Sequence, residues 1–137
     1  MIYLDASVVV PIVVAEAASP HIDEWLAADP DICVSRWTIS EVSSALSHHL
    51  RTGRIDADER HAAEAALDHW MFGGVRIIEI EEDDIVALRA LLRSDPLLRT
   101  PDALHLAVVM RLDCELATHD VRLAESARDI GIDVVVP

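Results

Sequence analysis

Residues 2–15, which read IYLDASVVVPIVVA, decide the fold that we expect for this chain. The apolar run Ile2–Leu4 has the length of a short buried strand, and it ends in the acidic residue Asp5. The sequence then becomes helix-like to about Ala15, with Ser7 as the predicted N-cap. This stretch therefore predicts a strand that passes almost directly into a helix.

Short apolar runs alternate with helical patterns along the rest of the chain. Further strands are predicted at Ile32–Ser35, Val75–Ile80, Glu115–Thr118 and Ile132–Val135, and further helices at Ser19–Ala28, Thr38–Leu50, Asp56–Phe72, Asp83–Leu92, Thr100–Arg111 and His119–Ile130. This alternation is typical of an α/β fold with three layers, an open parallel sheet flanked by helices on both faces in a Rossmann-like layout. The 137 residues contain no linker or repeat, which predicts a single domain over 1–137.

The charge composition excludes several classes of mechanism. The chain has 25 acidic and 11 basic residues, a formal net charge of −14, and all of its basic residues are arginine. Without lysine there can be no P-loop lysine, Schiff base or Ser-Lys nucleophile. The negative charge disfavours non-specific binding of nucleic acid, in which phosphate contacts dominate the affinity. It does not exclude chemistry on nucleic acid, because a cation bound among carboxylates reverses the local charge.

The beginning of the chain and its two cysteines carry simpler expectations. Neither a basic segment nor a cleavage site follows Met1, and the apolar stretch from Val8 to Ala15 is too short to span a bilayer. We therefore expect a cytoplasmic protein without a membrane partner. Cys33 and Cys114 are isolated in the sequence, and we interpret both as small hydrophobic residues rather than a zinc site or redox pair.

Four acidic residues are the candidates for a functional site. In an open parallel sheet, sites form beyond the carboxyl ends of the strands. Asp5 ends the first strand, Asp120 follows the Glu115–Thr118 strand, and Glu41 and Asp102 lie in the first turns of helices. Thr100 is the predicted N-cap of the helix that carries Asp102.

Each of these acids also has a purely structural interpretation. Asp102 and Asp120 occupy positions where acids stabilise helix N-termini, and Glu41 lies off the apolar stripe of its helix, where a solvated side chain is the ordinary finding. Asp5 is harder to explain structurally, since a carboxylate at the end of an apolar strand is costly unless it is paired or metal-bound. As a group, four such acids favour a site for Mg²⁺ or Mn²⁺, because several carboxylates remain ionised together only beside a cation.

Four short motifs resemble those of the PIN-domain ribonucleases, and most closely the VapC toxins of bacterial toxin–antitoxin pairs. The motifs are Asp5-Ala6-Ser7, Ser40-Glu41-Val42, the run Thr100 to Ala107 (TPDALHLA), and Thr118-His119-Asp120 with Leu123. The resemblance covers essentially the whole chain. No single motif is specific, whereas the order and spacing of the four acids are.

The resemblance implies a PIN-like nuclease domain and a metal-dependent endoribonuclease that acts as the toxin of a type II pair. Asp5, Glu41, Asp102 and Asp120 match the acidic quartet of that family, which implies that they hold Mg²⁺ or Mn²⁺ and are the catalytic residues. It further implies a homodimer, an RNA substrate and inhibition by a small VapB-like antitoxin. Some members carry another acid after the last aspartate, where this chain has Val121 and Arg122, so the number of metal ions is left open.

Secondary roles are expected for the residues around the quartet. Ser7 and Thr118 match hydroxyl positions of the family and are expected to orient the ligand carboxylates. Candidates for substrate contact are Arg51, Arg54, Arg99 and His119, although solvated arginines are the simpler interpretation. His105 is three residues after Asp102, but we leave it out of the ligand set because hard cations prefer oxygen.

Three other functions compete with the ribonuclease. A deoxyribonuclease would use the same metal chemistry, and a degenerate domain could bind a partner protein without catalysis. Phosphatases of the haloacid dehalogenase type and response-regulator receivers also place an aspartate at a strand end. Both of those groups use a lysine, which this chain does not have.

Overall fold

The computed structural model describes residues 1–137 and contains five strands and seven helices. The strands are β1 (Ile2–Leu4), β2 (Ile32–Ser35), β3 (Arg76–Ile78), β4 (Glu115–Ala117) and β5 (Val134–Val135). The helices are α1 (Ala6–Val13), α2 (Ser19–Leu26), α3 (Arg36–Arg51), α4 (Ala57–Phe72), α5 (Glu82–Ser94), α6 (Thr100–Leu112) and α7 (Val121–Asp129). None of the helices combines the length and the apolar character needed to cross a membrane.

The strands form one parallel sheet in the order β3-β2-β1-β4-β5, which confirms the predicted α/β architecture. Strand β1 lies at the centre, with Ile2 in register with Ile32 of β2 on one side and with Glu115 of β4 on the other. The chain builds outward from β1 in both directions, so the strand order reverses there. The crevice at the carboxyl end of such a central strand is where open α/β sheets bind their ligands.

Hydrophobic residues on the two faces of the sheet form two separate cores. Successive side chains of a strand point to opposite faces, so Leu4 packs with helices α1 to α4 while Tyr3 packs with α5 to α7. The prediction for the cysteines fits this arrangement. Cys33 is fully buried in the second core, Cys114 is partly buried against it, and both are free thiols.

The two predicted N-caps are wrong, and helices α3 and α7 also begin two residues from their predicted starts, at Arg36 and Val121. Asp5, not Ser7, is the N-cap of α1, because its backbone is extended and its carboxylate accepts the backbone N–H groups of Ser7 and Val8. Thr100 is the first residue of α6 rather than its cap, and the preceding residue, Arg99, makes no capping hydrogen bond with its side chain. In the first case, the acid proposed for the site also begins the helix.

A partly buried ion pair joins α5 to α6. Arg111 donates from Nε and Nη2 to the two carboxylate oxygens of Asp84, at 2.7 and 3.0 Å. It also donates to a carboxylate oxygen of Glu81 and to the backbone carbonyl of Glu79. Asp84 is only 1% exposed, and its other donor is the backbone N–H of Glu81 in the capping box of α5. The guanidinium group therefore satisfies a carboxylate that is almost fully out of water.

Candidate active site at the carboxyl edge of the sheet

Asp5 lies in the crevice beyond β1 and is held by four donors. Its Oδ1 accepts the backbone N–H groups of Ser7 and Val8 and the hydroxyl of Ser7, the last at 2.6 Å. Its Oδ2 accepts the hydroxyl of Thr118 at 2.7 Å. Asp5 is 4% exposed, and this burial raises the pKa of its carboxyl group, although the hydroxyls of Ser7 and Thr118 act in the opposite direction. The side chain is thus fixed in place and costly to ionise without a cation.

Asp120 is linked to Asp5 through Thr118. The Thr118 hydroxyl that donates to Asp5 also accepts the backbone N–H of Asp120, at 2.9 Å. Asp120 is the N-cap of α7, where its Oδ1 accepts the backbone N–H groups of Arg122 and Leu123. Its Oδ2 makes no hydrogen bond within the protein. The cap interpretation is therefore correct for Asp120, and it leaves one carboxylate oxygen available to the crevice.

Asp102 occupies the first turn of α6, half-buried and without a hydrogen-bond donor for its carboxylate. Burial raises the pKa of this carboxyl group most, followed by the negative charge of Asp120 and, more weakly, that of Glu41. Arg99 and His105 oppose the rise in pKa. Three of the four predicted acids therefore interact through their charges.

Glu41 is the fourth acid, and it is not a freely solvated side chain. Its carboxylate is 23% exposed and its Oε2 lies 2.5 Å from Nε2 of His105, so the two are joined by a short hydrogen bond. His105 is 3% exposed and lies on the buried face of α6. From the sequence, we considered His105 only as a metal ligand, and its contact with Glu41 was not predicted. The available signal was a histidine within an apolar helix face, where a buried polar group requires a partner.

The four acids fit a hard divalent cation by their chemistry. All of their ligating atoms are carboxylate oxygens, which Mg²⁺ and Mn²⁺ prefer, and Asp102 has neither a donor nor a paired cation. As the side chains stand, however, no group of three or more acids, histidines or cysteines is arranged to hold an ion. Hydroxyl groups hold the carboxylate of Asp5, and His105 holds that of Glu41.

The candidate substrate contacts divide into two groups. Arg99 lies next to Asp102, since its charge lowers the pKa of that carboxyl group, and the backbone N–H of His119 donates to Ser7. Arg51 instead ends α3, about 15 Å along the helix axis from Glu41, and Arg54 lies in the turn that follows. The structure therefore brings Arg99 and the backbone of His119 to the acids, whereas the imidazole of His119 contacts the backbone carbonyl of Pro137. It leaves Arg51 and Arg54 at a distance.

Two further residues lie at the start of α3, close to the crevice. Arg36 is exposed and pairs with Glu79 through a 2.6 Å hydrogen bond, and the sequence analysis did not single it out. Trp37 is one helical turn before Glu41, and its indole N–H is buried without a hydrogen-bond partner. Trp37 does not pack into either hydrophobic core.

The raised pKa values of Asp5 and Asp102 predict how stability depends on pH in metal-free protein. A carboxyl group whose pKa is raised by folding binds its proton more tightly in the folded state. Its contribution to stability is therefore lost as pH rises from the ordinary aspartate pKa of about 4 through the raised value. The variant Asp5→Asn/Asp102→Asn lacks both groups. We expect its free energy of unfolding, relative to wild type, to increase as pH rises above the ordinary aspartate pKa of about 4.

Urea denaturation of both proteins in EDTA across this pH range measures the effect. Taking the difference between the two proteins removes the contributions of titratable groups that do not interact with Asp5 or Asp102. A difference that stays constant or shrinks as pH rises would contradict the prediction.

Comparison with known proteins identifies relatives along the full length of the chain. The sequence model of the PIN domain family matches residues 2–129. Ribonuclease VapC46 of Mycobacterium tuberculosis is 30% identical over 142 residues, which cover 99% of this chain and 97% of that protein.

Solved structures share the fold. VapC20 of Mycobacterium tuberculosis, described as a toxin that cleaves the sarcin–ricin loop, superposes with a TM-score of 0.76 and 20% identity over 100% of both chains. A chain of a toxin–antitoxin complex from Klebsiella pneumoniae superposes with a TM-score of 0.69 and 21% identity, over 100% of this chain and 98% of that one.

Proposed function

Because the chain belongs to the PIN domain family, we propose that it is a divalent-metal-dependent endoribonuclease and the toxin of a type II toxin–antitoxin pair. The observation that carries the proposal is the meeting of four acids from four separate elements at one edge of the sheet. The charges of Asp120 and Glu41 act on Asp102 there, and Thr118 links Asp120 to Asp5. The likeness to a relative named as a ribonuclease supports RNA as the substrate.

We assign Asp5, Glu41, Asp102 and Asp120 as the residues that would hold Mg²⁺ or Mn²⁺. The metal ion, when bound, would supply a nucleophilic water at neutral pH and stabilise negative charge on the phosphate. Asp5 presents a fixed carboxylate because Ser7 and Thr118 donate to both of its oxygens. Asp120 offers the oxygen that is not used in capping α7, and Asp102 offers a carboxylate free of protein donors.

Other residues of this chain prepare the crevice for RNA. Arg99 places a positive charge near Asp102, which favours the approach of a phosphodiester to the acids. Hydrolysis by water does not use the 2′-hydroxyl of RNA as the nucleophile, so the expected product carries a 5′-phosphate.

A small VapB-like antitoxin and a second copy of the chain are the expected protein partners. The antitoxin is supported by the name of the VapC relative and by the toxin–antitoxin complex that shares the fold.

Cleavage of total cellular RNA by partner-free protein tests this proposal. We expect discrete cuts with Mg²⁺ or Mn²⁺, none with EDTA, and restoration when the metal ion is added back in excess. Mapping of the new ends should find 5′-phosphates. Matched single-stranded DNA of the same sequence as the cut RNA serves as the control substrate, and metal binding is measured in parallel by calorimetry.

Each alternative outcome has a distinct meaning. Cuts that persist in EDTA, or that leave a 2′,3′-cyclic phosphate, would exclude metal-dependent hydrolysis. Cleavage of the DNA but not of the RNA would indicate a deoxyribonuclease. Protein that neither cuts nor binds metal would instead be a domain that only binds a partner.

A further inference from the structure

A chain of buried polar side chains lies directly beneath Glu41. Nε2 of His105 contacts Oε2 of Glu41, and Nδ1 of His105 lies 2.8 Å from the hydroxyl of Tyr3. The Tyr3 hydroxyl in turn lies 2.7 Å from that of Ser35 and 3.0 Å from that of Thr38. Tyr3, Ser35 and Thr38 have no exposed surface, and His105 is almost as deeply buried. The chain of contacts joins β1, β2, α3 and α6 to a single acid of the crevice.

The hydrogen atoms can be assigned along this series of contacts so that every polar group has a hydrogen-bond partner. Thr38 donates its hydroxyl hydrogen to the backbone carbonyl of Leu4, and it accepts from its neighbours. Burial raises the pKa of Tyr3 above its ordinary value, so its hydroxyl stays protonated and can donate to Nδ1 of His105. That leaves the hydrogen of His105 on Nε2, where it faces the carboxylate of Glu41. The direction of donation therefore runs from Tyr3 through His105 to Glu41.

We propose that His105, fixed by Tyr3, is a positioning residue that holds Oε2 of Glu41 and leaves Oε1 as the oxygen that serves the crevice. A glutamate side chain on a helix surface is ordinarily free to rotate, and here a single donor removes that freedom. Carboxylates that bind metal ions are commonly oriented by such hydrogen bonds. This inference rests on the proposed metal-dependent function and adds residues outside the acidic quartet to it.

A purely structural role for these residues is the competing explanation. Tyr3 and His105 also pack edge to face between the sheet and α6, with ring centres 5.6 Å apart, so they contribute to the second core. A structural role would affect folding alone. A positioning role acts through Glu41, and its effect disappears once Glu41 can no longer serve the reaction.

The test compares His105→Leu, His105→Gln and Tyr3→Phe with wild type. Leucine removes the donor from an already apolar helix face, whereas glutamine keeps an N–H group at a similar reach. We expect His105→Leu to weaken Mn²⁺ binding in calorimetry, and to lower the RNA cleavage rate at saturating substrate, by about 10–100-fold with little change in KM. His105→Gln should recover part of both losses. The Mn²⁺ affinity and cleavage rate of Tyr3→Phe should lie between those of His105→Gln and His105→Leu.

His49→Gln is the matched control for a buried imidazole. His49 also lies near a carboxylate, at 3.9 Å from Glu16, but on the last turn of α3 and away from the crevice. We expect this control to bind Mn²⁺ and cut RNA as wild type does. Glu41→Gln provides the second comparison. If His105 acts through Glu41, Glu41→Gln/His105→Leu should be no less active than Glu41→Gln alone.

Three results would overturn the inference. Variants of His105 that lower the unfolding midpoint but bind Mn²⁺ as wild type does would show a structural role only. A further loss of activity in the double variant, as large as that in His105→Leu, would show that the residue acts independently of Glu41. Wild-type protein that neither binds Mn²⁺ nor cuts RNA would overturn the proposed function itself, and the positioning role with it.

Discussion

Replacing Asp5 by asparagine is expected to abolish RNA cleavage while leaving the protein at least as stable as wild type. Asparagine is nearly isosteric, and its Oδ1 can still accept the backbone N–H groups of Ser7 and Val8. Its amide can donate to the hydroxyl of Thr118, which reverses a single hydrogen bond. The fold therefore loses little, and the neutral side chain avoids the cost of burying a charge.

The rate of RNA cleavage, unlike the stability, should fall sharply in Asp5→Asn. An amide at this position removes one anionic ligand, and a catalytic metal contributes several kcal/mol to the transition state. A loss of about 4 kcal/mol corresponds to a rate about 1000-fold lower. Single-turnover cleavage of the mapped RNA measures the rate, and thermal unfolding in EDTA at neutral pH measures the stability.

The matched control for this substitution is Asp68→Asn, on the exposed side of α4. It changes the net charge by the same amount and should leave the rate within about twofold, because it is remote from the crevice. An Asp5→Asn protein that cuts RNA within about tenfold of wild type would remove Asp5 from the catalytic residues. One that loses activity only by unfolding would show that Asp5 is needed as the cap of α1 instead.

The second large effect is expected at the ion pair between α5 and α6. Arg111→Met leaves the carboxylate of Asp84 buried with only the backbone N–H of Glu81 as a donor. Removing one partner of a buried pair typically costs about 3–5 kcal/mol. We expect a loss of that size in the free energy of unfolding, measured by urea denaturation with wild type and variant at the same pH.

The double variant Arg111→Met/Asp84→Leu shows how much of this loss comes from leaving the charge of Asp84 buried without a partner, and how much from losing the attraction between the two side chains. Apolar replacement of both partners is often neutral, so we expect it to recover most of the stability lost in Arg111→Met. Arg89→Met, on the exposed side of α5, is the control and should change the stability by less than about 0.5 kcal/mol. A loss below about 1 kcal/mol for Arg111→Met would show that the pair is weak.

The architecture was largely predictable because the sequence marks strands and helices locally. Each strand of the sheet is a short apolar run, and the structure contains all five of them and all seven helices in the expected order. The ends were less predictable, since they depend on which side chain satisfies the first free N–H groups. Serine and aspartate are about equally good caps in general, and it is Asp5, which precedes Ser7, that takes the role.

The site was predictable only in part. Placing Asp5 and Asp120 beside one another required only the rule that parallel strands end at the same edge of the sheet. The contact between Glu41 and His105 joins residues 64 positions apart, and that between His105 and Tyr3 joins residues 102 apart. Such pairings depend on how α3 and α6 pack against the sheet, which no local pattern contains. Arg51 and Arg54 illustrate the opposite case, since they looked suitable by charge but lie at and just beyond the far end of α3.

The double use of Asp5 and Asp120, as crevice acids and as helix caps, has a consequence for how the activity can be lost through mutation. Caps accept asparagine, serine or threonine in place of aspartate, so selection for folding alone would confine both positions to a small set of residues. No backbone group or buried side chain depends on the carboxylate of Asp102, whereas that of Glu41 is the hydrogen-bond partner of the buried His105. In a lineage released from selection for activity, we therefore expect Asp102 to drift first and furthest.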